Sequence, residues 1–126
     1  MAGLTLHSGA LIAAERGDRR FWALWKEAER RDLDVTVPAT VVAQVYRGAR
    51  SAVVSRVLWA CIVEPLDDPG ARRAGRLCAA SKTSDIVDAS VVASAAARGD
   101  DVVTSDPADM RRLAASARGV GRLIVL

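Results

Sequence analysis

Apolar residues in this chain follow two alternating patterns. Short runs of strand length occur at residues 3–6, 34–37, 61–64, 101–104 and 122–126. Between them, apolar positions recur with helical spacing over 9–16, 18–31, 39–47, 50–60, 69–80, 84–98 and 107–117. The punctuation agrees. Gly17 ends the first helix and Asp18 can cap the second, while Gly48 and Gly99 follow the third and sixth. No Asn-Gly or Asp-Gly pair joins two strands, so helical crossovers must connect them. Strands alternating with helices predict an α/β fold with a mainly parallel sheet covered on both faces. No repeat, linker or low-complexity stretch divides the chain, and residues 1–126 read as a single domain.

One helix stands out. "DIVDASVVASAAARG", residues 85–99, is apolar almost all round, the pattern of a buried helix. It nevertheless carries Asp85 and Asp88, three residues apart and so on one face of its first turn.

Composition narrows the class. In 126 residues, 51% are hydrophobic, enough for one packed core and little more. No apolar run is long enough to span a bilayer, and the N-terminus lacks the pattern of a secretory signal. A cytoplasmic protein that does not engage a membrane is expected. Cys61 and Cys78 fit no Cys-x-x-Cys spacing, so two reduced, partly buried thiols are expected rather than a zinc site or a disulfide. The net charge of +3 is compatible with an acidic partner such as RNA but does not specify one.

The chemistry lies at the strand ends, the rim where open α/β sheets bind ligands. His7 follows the first strand. Asp106, in "VVTSDPADM", follows the fourth, and Asp85 and Asp88 open the helix before it. Carboxylates gathered there without a basic neighbour in sequence need a cation, and oxygen donors suit Mg²⁺ or Mn²⁺ better than zinc. Spacing alone also allows plainer roles. Asp106 precedes Pro107 and reads as an N-cap, with Asp109 three residues on. Asp85 and Asp88 sit where a helix N-terminus favours negative charge. A lone histidine is more often structural than a ligand.

"TSDIVDASVVASAAARGDDVVTSDPADM" (residues 83–110), with "LTLHSGALIAAERGD" (4–18) and "VTVPATVVAQVYRG" (35–48), resembles the PIN-domain family, closest to the VapC-like toxins. The resemblance covers nearly the whole chain. It implies a five-stranded parallel sheet in the order 3-2-1-4-5 between helical layers. It also implies a Mg²⁺- or Mn²⁺-dependent endoribonuclease, a toxin held inactive by a small antitoxin. The family's site has four acidic residues. The third is similar to Asp88, with Asp85 as an accessory acid, and the fourth to Asp106. The first corresponds to His7 and the second to Gln44, and at both of these the chain departs from the family pattern.

The departures remove two formal negative charges from a four-acid site. Losing even an outer partner of a metal ligand costs roughly 10- to 100-fold in affinity or activity, so a weakened metal site is expected. Imidazole can bind Mn²⁺ and the Gln44 carbonyl can offer an oxygen, but neither suits Mg²⁺ well. The competing expectation is a catalytically inactive PIN fold that binds RNA or a protein. By position alone, Gln44 shares a helical stripe with Thr40, Arg47 and Gly48 that could face water.

Aromatics cluster in "RRFWALWKEAERR", where Phe21, Leu24, Trp25 and Ala28 share a core-facing stripe and Trp22 is expected to point elsewhere. Trp22 beside Arg19 and Arg20, together with Arg47, is the candidate surface for RNA or a partner protein, because Trp and Arg are enriched at binding hot spots. This surplus also suggests a homodimer or a tight partner complex. A phospho-receiver is excluded, since the third strand ends in Val63, Glu64 and Pro65 rather than an aspartate. Walker A and dinucleotide glycine motifs are absent.

Overall fold

The computed structural model describes residues 2–126. In chain order the elements are β1 (Leu4–Leu6), α1 (Ser8–Glu15), α2 (Arg19–Arg30), β2 (Val35–Pro38), α3 (Ala39–Val45), a single 3₁₀ turn (Gly48–Arg50) and α4 (Ala52–Trp59). They continue with β3 (Ile62–Glu64), α5 (Asp68–Ser81), α6 (Ile86–Arg98), β4 (Asp101–Thr104), α7 (Pro107–Ser116) and β5 (Leu123–Val125). The sheet is parallel throughout, in the order β3-β2-β1-β4-β5.

This order fixes the layers. The chain steps outward from β1 through β2 to β3, then returns to β4 on the other side of β1. With right-handed crossovers, α1–α4 cover one face and α5–α7 the other. The reversal lies between β1 and β4, which pair Leu4 with Asp101 and Leu6 with Val103. A crevice outside the carboxyl ends of these two strands is where such a sheet accepts ligands.

Alternation along β1 sends Leu4 and Leu6 to one face, Thr5 and His7 to the other. Leu6, Leu11, Phe21, Val37 and Val54 are almost fully buried. Val91, Val92 and Ala95 fix α6 to the sheet with no exposed surface, and burying each valine contributes about 1.5–3 kcal/mol. Caps set the helix starts. Asp18 Oδ1 accepts the amides of Arg20 and Phe21 at 2.9 and 3.0 Å, and Asp67 Oδ1 accepts that of Gly70 at 2.8 Å. Helix α6 stops at Gly99, whose φ of 75° suits glycine.

Two local expectations change. The third helix ends at Val45 rather than 47, because Tyr46 is extended and the Arg47 amide donates instead to Ser51 Oγ at 2.7 Å. Arg47 therefore leaves the stripe of Thr40 and Gln44, and its guanidinium donates to the Tyr46 carbonyl at 2.7 Å. Trp22 does not point away from its neighbours. It packs edge-on against Phe21 with ring centroids 5.0 Å apart, and lies 6.3 Å from Trp25. Joining the aromatic cluster removes more apolar surface from water than standing free would.

Candidate functional site

At the carboxyl end of β1 the His7 ring lies between α6 and β4. Nε2 is 2.7 Å from Asp88 Oδ1 and Nδ1 is 2.8 Å from Thr104 Oγ1. His7 and Asp88 are 5% and 6% exposed and Thr104 is fully buried, so water competes little for these bonds. An ionised carboxylate only accepts, so Nε2 carries a proton and donates to Asp88. The Thr104 hydroxyl meets Nδ1 and also accepts the backbone amide of Asp106 at 3.0 Å. One hydroxyl thus ties the imidazole to the loop that opens α7.

Local sequence builds this arrangement. The His7 amide continues the β1–β4 ladder by donating to the Val103 carbonyl at 2.9 Å, which holds the ring at the sheet's edge. Gly9 lets α1 start there: a Cβ at this position would lie 2.0 Å from Ser105 Oγ and 2.9 Å from its backbone nitrogen. Asp85 caps α6, and its Oδ1 accepts the Asp88 amide at 3.0 Å, fixing the turn that presents Asp88.

The remaining candidates lie on other elements, and among the described residues none bonds to this pair except through the Asp106 and Asp85 hydrogen bonds already described. Asp106 occupies the N-cap position of α7, but its carboxylate caps no amide and is exposed. The acid is therefore not spent on starting its helix. Asp109, which reads as support for that cap, pairs instead with Arg112 at 3.3 Å. Gln44 is exposed on α3. One turn earlier on that helix, Thr40 meets Ser90 Oγ of α6 at 2.6 Å, two residues beyond Asp88. Arg19 and Arg20 are exposed at the start of α2, and Arg20 lies 3.6 Å from Asp18.

The residues do not fit a resident Mg²⁺ or Mn²⁺ as they stand. Both ring nitrogens of His7 are engaged, and Asp88 Oδ1 is taken by the imidazole. Among the described residues no three His, Cys, Asp or Glu side chains cluster closely enough to hold a metal ion. Magnesium requires near-octahedral oxygen coordination, which one shared carboxylate cannot supply.

Sequence reasoning missed a second polar network under α6. Asp100 is 2% exposed, and its Oδ1 accepts the Gly3 amide at 2.9 Å. Its Oδ2 accepts from Thr5 Oγ1 at 2.8 Å and Arg98 Nε at 2.9 Å. The Arg98 guanidinium also donates to Thr5, Ser94 and Glu64. Thr5 and His7 are successive positions on one face of β1, so α6 is bonded to the same strand near both of its ends. The available signal was Arg98 two residues before Asp100, which reads as an ordinary helix terminus. Also missed was Trp59, 90% exposed at the end of α4. It borders an opening with Ser55 and Leu58, while Trp22, Trp25, Glu29, Arg56 and Val57 line a separate 670 Å³ groove between α2 and α4.

Comparison with known proteins bears on the fold. The PIN domain family model matches residues 6–116, a span from β1 through α7. The chain belongs to the PIN domain family. No curated protein matches the sequence of this PIN domain. Its fold is similar to that in the crystal structure of DNA-bound VapBC from Salmonella typhimurium, with TM-score 0.72 and 17% identity over 96% of each chain. It is similar also to VapBC2 from Rickettsia felis bound to a promoter DNA fragment, with TM-score 0.70 and 11% identity over 98% of this chain and 96% of that one. A third similar structure is VapBC-5, a member of the VapBC family of toxin–antitoxin systems from Mycobacterium tuberculosis. There the TM-score is 0.61 and the identity 23%, over 99% of this chain and all of the other. At these identities the likeness is one of fold.

Proposed function

We propose that this PIN domain is a VapC-like protein of the metal-dependent endoribonuclease lineage, a toxin by descent, whose metal site is weakened at His7 and Gln44. The observation that carries this reading is the position of Asp88. It is a buried carboxylate beside the reversal point of the sheet, one imidazole away from the loop that presents the free carboxylate of Asp106. In this reading Asp88 and Asp106 are what remains of the catalytic acids, with Asp85 positioning Asp88. In the native chain His7 occupies one of the two Asp88 oxygens, so a cation would have to share this carboxylate with the imidazole.

A second reading is a catalytically inactive PIN fold that binds RNA or a protein. It is favoured by the engagement of both His7 nitrogens, which makes the pocket self-sufficient without a cation. The first reading takes RNA as substrate and a small antitoxin as partner, the second RNA or a protein as ligand, both within the cytoplasm. The α2–α4 groove with Trp22 and Trp25 is the surface proposed for the antitoxin or a second subunit. Arg19, Arg20 and Arg47 are proposed to meet RNA or the partner.

The test is calorimetric Mn²⁺ titration beside a cleavage assay on a mixed RNA pool, comparing the native chain with Asp88→Asn and Asp106→Asn. Cleavage that needs Mn²⁺ and both acids supports the nuclease reading. RNA binding with neither saturable metal uptake nor cleavage supports the binding module. A chain that binds no RNA under any condition overturns the nuclease reading and leaves the second only as a protein-binding module.

A further inference from the structure

On the face away from the α2–α4 groove, helices α5, α6 and α7 enclose a second opening of 410 Å³. Its floor is made of small residues, among them Ala93 and Ala97 of α6, with Leu77 of α5 beside them. Ala93 and Ala97 are four residues apart and so share one face of α6, the face turned from the sheet. Three guanidinium groups rim this floor: Arg73 and Arg76 on α5, and Arg118 just after α7. All three are exposed, and none has an ion-pair or hydrogen-bond partner among the described residues. Of the other arginines on these helices, Arg111 of α7 also has no such partner among the described residues but does not line the opening. Arg72 pairs with Asp68 and Arg112 with Asp109. Arginine charge is left uncompensated around this apolar floor.

Such a floor suits some occupants and excludes others. Alanine offers nothing on which a base could stack, and no aromatic residue lines the opening, so it lacks the platform of a single-strand RNA site. Small side chains let another backbone come close, and apolar side chains of a helix can settle on them at i and i+4 spacing. Arginines on two walls, α5 on one side and the segment after α7 on the other, match carboxylates flanking both edges of an apolar stripe. Guanidinium–carboxylate pairs of this kind are bidentate and charge-assisted. A second copy of this chain fits less well, because its net charge is +3. We propose that the opening between α5, α6 and α7 is a docking groove for an acidic amphipathic helix of a partner protein, held by Arg73, Arg76 and Arg118 over the alanine floor. Its floor belongs to α6, the helix that carries Asp88, but the proposal does not depend on any activity at that site.

The experiment uses the full chain and three fluorescent probes. One is a designed 20-residue helix with a leucine–alanine stripe flanked by glutamates, the second the same helix with lysines for the glutamates, and the third a single-stranded RNA oligomer. Fluorescence anisotropy should show the acidic helix binding, less tightly as salt is raised. Arg76→Glu with Arg118→Glu should weaken it about tenfold or more, while Arg50→Glu, on the opposite side of the molecule, should not. Arg76→Gln with Arg118→Gln gives a smaller loss in the same direction and stands in if the charge reversal unfolds the chain. No binding of the acidic helix overturns the proposal, as does equal binding by native chain and variants. Loss of RNA binding rather than peptide binding on reversal would identify the groove as a nucleic-acid surface, and would overturn it too.

Discussion

His7 Nε2 donates to Asp88 Oδ1 across 2.7 Å, in a position almost closed to water. On the proposed reading, a strand-end imidazole supplies the contact to Asp88 that a cation would otherwise make. The consequence is specific to metal binding. His7→Asp with Gln44→Glu restores carboxylates at the two departed family positions, and on that reading Mn²⁺ or Mg²⁺ should bind more tightly than to the native chain. Without metal the same variant should melt lower, because crowded carboxylates repel one another. Metal-dependent RNA cleavage should appear or rise and should vanish on adding Asp88→Asn. Calorimetry and a cleavage assay check this. Equal metal affinity in the two proteins would remove the pocket from consideration as a metal site.

Thr104 links the imidazole to the α7 loop, so Thr104→Val should loosen both. The variant keeps the side chain's shape but leaves Nδ1 and the Asp106 amide without their shared partner, costing about 1–3 kcal/mol. Denaturant unfolding measures the loss. A change within experimental error would mean that the ring finds another partner.

Asp100 serves Gly3, Thr5 and Arg98 at once. Asp100→Ala should destabilise the chain by about 2–4 kcal/mol, since it leaves the buried Gly3 amide and the Thr5 hydroxyl proton without an acceptor and takes from Arg98 one of its two carboxylate partners. Hydrogen exchange at Gly3 and Thr5 should accelerate more than exchange in α2. Uniform acceleration would argue that the network has no local role.

Burial pushes the Cys61 thiol up to about 12. Its thiolate fraction at pH 8 is then very small, and thiolate is the reactive form. Alkylation of the folded protein by iodoacetamide should modify Cys61 far more slowly than the same residue in denaturant, with mass spectrometry as the readout.

The Asp18 carboxyl is held below its ordinary value, chiefly by the Phe21 amide and further by the amide and charge of Arg20. A depressed native value contributes stability above the unfolded value and loses it as pH falls through the folded one. Asp18→Ala should therefore lower the melting temperature at pH 7, and the gap to the native chain should close as pH falls below 3.8, the ordinary value. A gap that persists in strong acid would mean the cap acts through something other than its charge.

The fold was legible in the sequence because its determinants are local or periodic. Valine-rich strands, helical periodicity, Asp18 and Asp67 as caps and Gly99 as a stop all act within a few residues, and the lack of hairpin turns forces crossovers. The resemblance supplied the strand order that periodicity cannot. His7, Asp85, Asp88 and Asp106 could be picked out because strand ends and helix starts are where such a sheet exposes polar groups. What each one does was decided only by tertiary packing. Asp106 and Asp85 occupy the same cap position in sequence, yet Asp85 caps its helix and the Asp106 carboxylate does not. Nothing local distinguishes them. His7 lies 81 residues from Asp88 and 97 from Thr104, and the Asp100 network spans a similar distance. Hydrogen bonds of that range leave no periodic trace, because they depend on which face of β1 meets α6. That choice is set by the reversal of the sheet between β1 and β4, a property of the whole chain rather than of any segment.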